Sequence, residues 1–142
     1  GLDIMQLHGN ECMEMCRQTG VPTIRVVDVE TDPDTGKASE GAVEQLLASL
    51  TTDSVALLLD TAIKGSTTGG GTGVTFDWNL AQRIRDEARI PVVIAGGLTP
   101  DNIATAVSST RPWGVDVSSG VEATPGVKNH DSVKAFVKGA RL

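Results

Sequence analysis

Five short apolar runs alternate with longer amphipathic stretches along this chain, and that alternation restricts the fold more than any other feature of it. The runs begin at Ile4, Thr23, Ser54, Pro91 and Trp113, so successive starts are never closer than 19 residues. A parallel connection needs a dozen or more residues and crosses right-handed, so each interval has room for a helical crossover. The run Ser54–Leu59 is almost continuously apolar, as expected for a strand buried on both faces. The fold class read from this pattern is α/β, built from parallel β/α units.

Local signals set the bounds of those units. Strand Ile4–Leu7 leads into a helix over Glu11–Thr19, stopped by Gly20 and Pro22. Strand Thr23–Val29 is followed by a polar loop, Glu30–Lys37, and a helix over Glu40–Leu50 with Ser39 as its N-cap. The third strand ends in Asp60 and opens a glycine-rich loop, Thr61–Thr75, after which Asp77 caps a helix from Trp78 to Ala88. Strand Pro91–Ala95 runs through Gly96-Gly97 into a helix that Thr99 caps and Pro100 opens, where the missing proline N–H costs nothing. The fifth strand is Trp113–Val117, and the last helix covers Asp131–Ala140. No linker or composition shift divides residues 1–142, which read as one domain or part of one.

Composition removes several function classes. The net charge is −6 and no basic stripe is present, which argues against a nucleic-acid partner. No run of about 18 apolar residues and no basic, apolar leader is visible, so neither a membrane nor an export role is expected and the location read is cytoplasmic. Cys12 and Cys16 lie four apart on one helix with no second pair at zinc-site spacing. They read as buried or half-buried thiols, and no metal or redox role is expected of them.

In parallel β/α folds the functional edge is the carboxyl end of the strands. There the sequence places Gln6 and His8, Asp60, Gly96 and Gly97, and Asp116 followed by Ser118, Ser119 and Gly120. Glycines 96, 97 and 120 can adopt positive φ and admit a ligand oxygen close to the backbone, and a helix starting near Thr99 offers its first amides to an anion. Either turn alone is equally a tight βα connection. The two together, after the last two strands, point to a phosphate. Asp60 ends an apolar strand, where a carboxylate needs solvent, partners or a task; a partly buried aspartate serves as a general acid, or else bonds loop amides. His8 reads equally well as a packing residue or a substrate contact. The loop with glycines at 65, 69, 70, 71 and 73 reads as a mobile cover, and it lacks the lysine that would close a nucleotide P-loop.

Five ordered segments resemble one family closely. They are Gln6-Leu7-His8-Gly9-Asn10-Glu11, Leu57-Leu58-Leu59-Asp60-Thr61, Gly71-Thr72-Gly73-Val74-Thr75-Phe76-Asp77-Trp78, Ala95-Gly96-Gly97-Leu98-Thr99-Pro100-Asp101-Asn102 and Val115-Asp116-Val117-Ser118-Ser119-Gly120-Val121-Glu122. In order and spacing they resemble phosphoribosylanthranilate isomerase, the (β/α)8 barrel of tryptophan biosynthesis, particularly its fungal forms. The resemblance implies an Amadori rearrangement of N-(5-phosphoribosyl)anthranilate to 1-(2-carboxyphenylamino)-1-deoxyribulose 5-phosphate, without cofactor or metal. It makes Asp60 the general acid, puts the phosphate on Gly96, Gly97, Ser118, Ser119 and Gly120, and lines the substrate cavity with Gln6, His8 and Asp116.

The chain also departs from that pattern. The family's base, a cysteine at the end of the first barrel strand, and an arginine near the end of the second have no counterpart, because Cys12 and Cys16 lie on a helix. Val74 stands where many relatives carry lysine, with Lys64 a possible substitute. Aligned by motif, the chain corresponds to barrel strands four to eight, an incomplete barrel of five units. A closed barrel takes about 200 to 250 residues. Such a piece is expected to be inactive alone, and to self-associate or to need the first three units. Another ribose-phosphate barrel enzyme, or a non-catalytic phosphate-binding assembly module, are the alternatives.

Overall fold

The computed structural model describes residues 1–9, 14–31, 40–49, 53–63 and 77–141. The five apolar runs form β1 (Met5–Leu7), β2 (Thr23–Thr31), β3 (Ala56–Ile63), β4 (Val92–Ile94) and β5 (Gly114–Val115). They pair in the order β1-β2-β3-β4-β5, each pair parallel. Chain order and sheet order coincide, as consecutive right-handed β/α units require. The helices are α1 (Met15–Gln18), α2 (Glu40–Ser49), α3 (Trp78–Glu87), α4 (Ile103–Thr110) and α5 (His130–Gly139).

Strand alternation divides the apolar side chains between two faces. On one face Val29, Leu59, Val92 and Ile94 join Leu80, Ala81 and Ile84 of α3, Ile103 and Ala106 of α4 and Phe136 of α5, with Leu46 and Leu47 of α2 packed alongside. Each fully buried side chain of this kind contributes roughly 1.5–3 kcal/mol. The opposite face carries a separate cluster of Val26, Leu58 and Ala95, with Ile24 and Val93 beside it, and among the described residues no helix contributes to it. Helices confined to one face of a sequentially ordered parallel sheet are the arrangement of a β/α-barrel wall. A doubly wound sheet has helices on both faces.

Several bounds differ from the sequence reading. β3 does not stop at Asp60 but continues to Ile63, with Val29, Glu30 and Thr31 of β2 opposite Thr61, Ala62 and Ile63. The β-branched residues beyond Asp60 hold the extended conformation once β2 supplies ladder partners. Thr99 does not cap α4 through its side chain. Its carbonyl accepts from the amides of Asn102 and Ile103, and the helix starts at Ile103. Beyond β5, a 3₁₀ turn at Ser119–Val121 leads into a hairpin of β6 (Glu122–Thr124) and β7 (Val127–Lys128), an antiparallel element that the five-unit pattern does not contain. The start of the first helix, the Ser39 cap and Cys12 lie outside the described residues; Cys16 is buried on α1.

Asp77 does cap α3, accepting from the amides of Asn79 and Leu80 at 3.1 and 3.3 Å. Asp77→Ala is expected to lower stability by about 1 kcal/mol, the ordinary value of an N-cap. Urea denaturation should show the midpoint falling with an unchanged slope.

Candidate active site

At the rim of the sheet the last β3–β4 ladder pair is Leu59 with Ile94, and the Ala95 amide still donates to the Leu59 carbonyl at 2.8 Å. Asp60 is therefore the first residue of β3 to rise past its β4 neighbour. Its side chain follows Leu58 by two residues and so shares that residue's face, the one without helices. The Asp116 amide donates to Ile94 at 2.9 Å, which sets Asp116 at the same rim at the end of β5. Asp60, Ala95, Gly96, Gly97, Leu98, Asp116, Val117, Ser118, Ser119 and Gly120 line one recess of about 60 Å³. One water needs at least about 10–15 Å³ by that measure, so a small anion fits.

The two glycine turns serve this recess differently. Gly96 and Gly97 have φ of 79° and 62°, a region open to glycine at little cost. Gly120 is not a positive-φ residue, contrary to the sequence reading: a Cβ there would lie 1.8 Å from the carbonyl oxygen of Leu98. It is glycine because two loops touch at that point. The amides of Gly97 and Gly120 make no hydrogen bond among the described residues. Ahead of α4, the Asn102 side chain accepts from the Thr99 amide at 2.8 Å and donates to the Gly97 carbonyl at 2.9 Å. Asn102 thus braces the first glycine turn, a role the sequence motif contains without revealing.

The remaining site residues divide. His8 follows β1, and its Nε2 lies 3.3 Å from Oδ1 of Asp28. Asp28 stands opposite Asp60 in the β2–β3 ladder, so both carboxylates are on the helix-free face. Ligand atoms of His8, Asp28 and Asp60 lie within 4.8 Å of one another, a grouping that a cation could bridge; its two outer members, His8 and Asp28, are exposed and already hydrogen-bonded to each other. Nothing in the sequence marked Asp28, since its relation to Asp60 spans two strands. Gln6 is not brought to the recess: its ladder partner is Ile24, which in turn pairs with Ala56, two same-face layers before Asp60, and it does not line the cavity. The loop holding Lys64, the glycines at 65–73 and Val74 lies outside the described residues.

Behind the second glycine turn, Lys128 of β7 donates to Glu122 of β6 at 2.7 Å. This bond, helped by the Gly126 amide, holds the Glu122 carboxyl below its ordinary range. Among the described residues no helix is long and apolar enough to cross a membrane.

A helix-backed parallel wall whose carboxyl rim gathers an aspartate and paired glycine turns is a site of the β/α-barrel enzyme class. Residues 1–139 match the family described as N-(5'phosphoribosyl)anthranilate (PRA) isomerase, and the chain belongs to that family. It is 46% identical over 99% of its length to a tryptophan biosynthesis protein of Phytophthora nicotianae, of which it covers 26%. It is 43% identical to an N-(5'-phosphoribosyl)anthranilate isomerase of Myxococcus xanthus, of which it covers 61%. The crystal structure of phosphoribosyl anthranilate isomerase from Thermotoga maritima superposes with a TM-score of 0.77 at 40% identity, over 99% of this chain and 62% of that one. A further crystal structure of the isomerase, in complex with reduced 1-(o-carboxyphenylamino)-1-deoxyribulose 5-phosphate, has a TM-score of 0.73 at 38% identity, over 99% of this chain and 60% of that one. The likeness is therefore not confined to fungal forms. The chain spans about three fifths of these isomerases' length.

Gly120→Ala should force the Leu98 and Ser119 loops apart, because the methyl group has no space. We expect a loss of about 1–3 kcal/mol, the usual cost of overpacking. Amide shift changes in two-dimensional NMR should centre on Leu98, Thr99 and residues 118–121.

Proposed function

We propose that this chain supplies the acid and phosphate-binding part of a phosphoribosylanthranilate isomerase site. The observation that carries the reading is that Asp60 and both glycine turns line a single recess. The ligand of the related isomerase is a ribulose 5-phosphate derivative, which needs an anion cradle at one end. The amides of Gly97 and Gly120, without hydrogen-bond partners among the described residues, and the hydroxyls of Ser118 and Ser119 are suited to that charge. Gly96 shapes the turn. Asp116, which lines the recess, and His8, which stands beside Asp28 within 4.8 Å of Asp60, serve as substrate contacts, with Gln6 a contact only for a group reaching down to the level of Ile24.

The chemistry is an internal redox exchange between adjacent carbons. Asp60 gives a proton to the furanose ring oxygen as the C1–O bond breaks and the anthranilate nitrogen's lone pair forms a C1–N double bond. A base then removes the C2 proton. The electron pair moves into a C1–C2 double bond, and tautomerisation of the resulting enolamine leaves C2 as the ketone and C1 reduced. No external oxidant, metal or cofactor enters this balance. Substrate and product are charged sugar phosphates that do not cross membranes unaided, and a cytoplasmic site suits them.

The base and the arginine of the family pattern belong to strands that precede β1 in the motif alignment, and Cys16, buried on α1, does not reach the rim. In this reading residues 1–142 act as five units of an eight-unit barrel. The first-strand flank exposes Leu2 and Ile4 by 75% and 52%. Such apolar surface favours pairing with the complementary units or with a second copy.

Two outcomes follow for anthranilate-fluorescence assays. The 142-residue polypeptide alone should show no turnover above background, since loss of the base alone costs about 10²- to 10⁴-fold. Addition of a polypeptide carrying the first three barrel units should restore activity, and Asp60→Asn in that complex should lower kcat by at least about a hundredfold while leaving assembly intact. Ordinary turnover by the chain alone refutes the division of labour. A rate within about threefold of the original for Asp60→Asn refutes the general-acid role.

A further inference from the structure

Lys128 sets its ammonium group against three acceptors: the Ser118 carbonyl oxygen at 2.9 Å, Ser118 Oγ at 3.3 Å and Glu122 Oε1 at 2.7 Å. An ammonium has three N–H donors and no acceptor, so each donor has a partner. Its charge is matched by Glu122, whose side chain is only 16% exposed. Lys128 is therefore not a free cation offered to an anion. Both oxygens of Ser118 accept from it, and a hydroxyl that accepts in this way keeps its own proton for another acceptor. Ser118 lines the recess.

We propose that Lys128 is a positioning residue for the recess: it orients the Ser118 hydroxyl as a donor to the bound phosphate and holds the Ser118–Gly120 turn at the depth the phosphate requires. This rests on the reading that the recess takes the phosphate of the substrate. The hairpin is built to hold that position. The Asn129 amide after β7 donates to Val121 at 2.8 Å, tying the strand that carries Lys128 to the same turn. The Glu122 carboxyl, held low chiefly by Lys128, stays ionised at neutral and mildly acidic pH. A group with a lowered folded-state pKa contributes fully above its unfolded pKa and loses that contribution as pH falls through the folded one. The clamp thus persists wherever an isomerase of this family would work near neutrality.

Ribose 5-phosphate titrated into the full 142-residue chain, followed through the amide shifts of Gly97 and Gly120, tests the proposal. K128M should weaken binding about tenfold, as expected when an oriented hydrogen bond to a charged group is lost. K128R should recover only part of it, because a planar guanidinium cannot converge three donors from one nitrogen. S118A should also cost about tenfold. Adding K128M to S118A should then cost less than about twofold, since partners in one network are not additive. A merely structural lysine would cost the same in either background, and that result overturns the proposal. Unchanged affinity in K128M overturns it too, while leaving the phosphate reading in place. If the unsubstituted chain shows no shifts at Gly97 and Gly120, the phosphate reading fails and takes the proposal with it. Should K128M disturb the folded spectrum, the cycle of K128R with S118A gives the same decision.

Discussion

The rest of the structure depends on β3 being paired on both sides in a register that leaves no tolerance. Leu57 and Leu59 are wholly buried, Leu58 is 5% exposed, and Asp60 follows on Leu58's face. Because side chains alternate, a slip of one residue would turn Asp60 into the cluster of Leu80, Ile84 and Ile94 and move Leu59 to the other side. A carboxylate among those side chains, without partners, costs far more than a domain can spare. One strand thus specifies both the helix-backed core and the placement of Asp60 at the rim.

From that register the loops follow. β4 and β5 are short, with Ile94 ending level with Leu59 and Val115 level with Ile94, so the segments after them lie beside Asp60. They are joined by contact between Gly120 and the Leu98 carbonyl, by Asn102 reaching back to Gly97, and by the Lys128 clamp behind Ser118. None of these uses a large apolar group. The recess is shaped by backbone packed on backbone, which is why small residues dominate its wall.

Much of this architecture is legible in the chain because the signals are local. Runs such as Thr23–Val29 and Ser54–Leu59 announce strands, their spacing dictates parallel crossovers, and Asp77 two residues before Asn79 is a cap that needs no tertiary help. Asp60 stood out as the polar end of an apolar run, and Gly96-Gly97 and Ser118-Ser119-Gly120 as paired turns. Asp28 stayed hidden, since a charged residue inside Thr23–Thr31 acquires meaning only opposite Asp60, 32 positions later in the chain. Gln6, expected at a strand end, lies below the rim for the same reason: level within a sheet is set by ladder partners, here Ile24 and beyond it Ala56.

Legible in the chain alone is therefore everything that a period or a neighbour within a few residues controls: strand and helix identity, parallel order, the glycine turns and the aspartate that ends an apolar run. The tertiary structure alone decided which of these meet. Gly120 is required by an oxygen 22 residues earlier, and Ser118 is held by a lysine across a hairpin that no five-unit pattern contains. Periodicity records which way a side chain faces, but a contact between loops depends on where the sheet register carries their ends, and that exists only once the strands have paired.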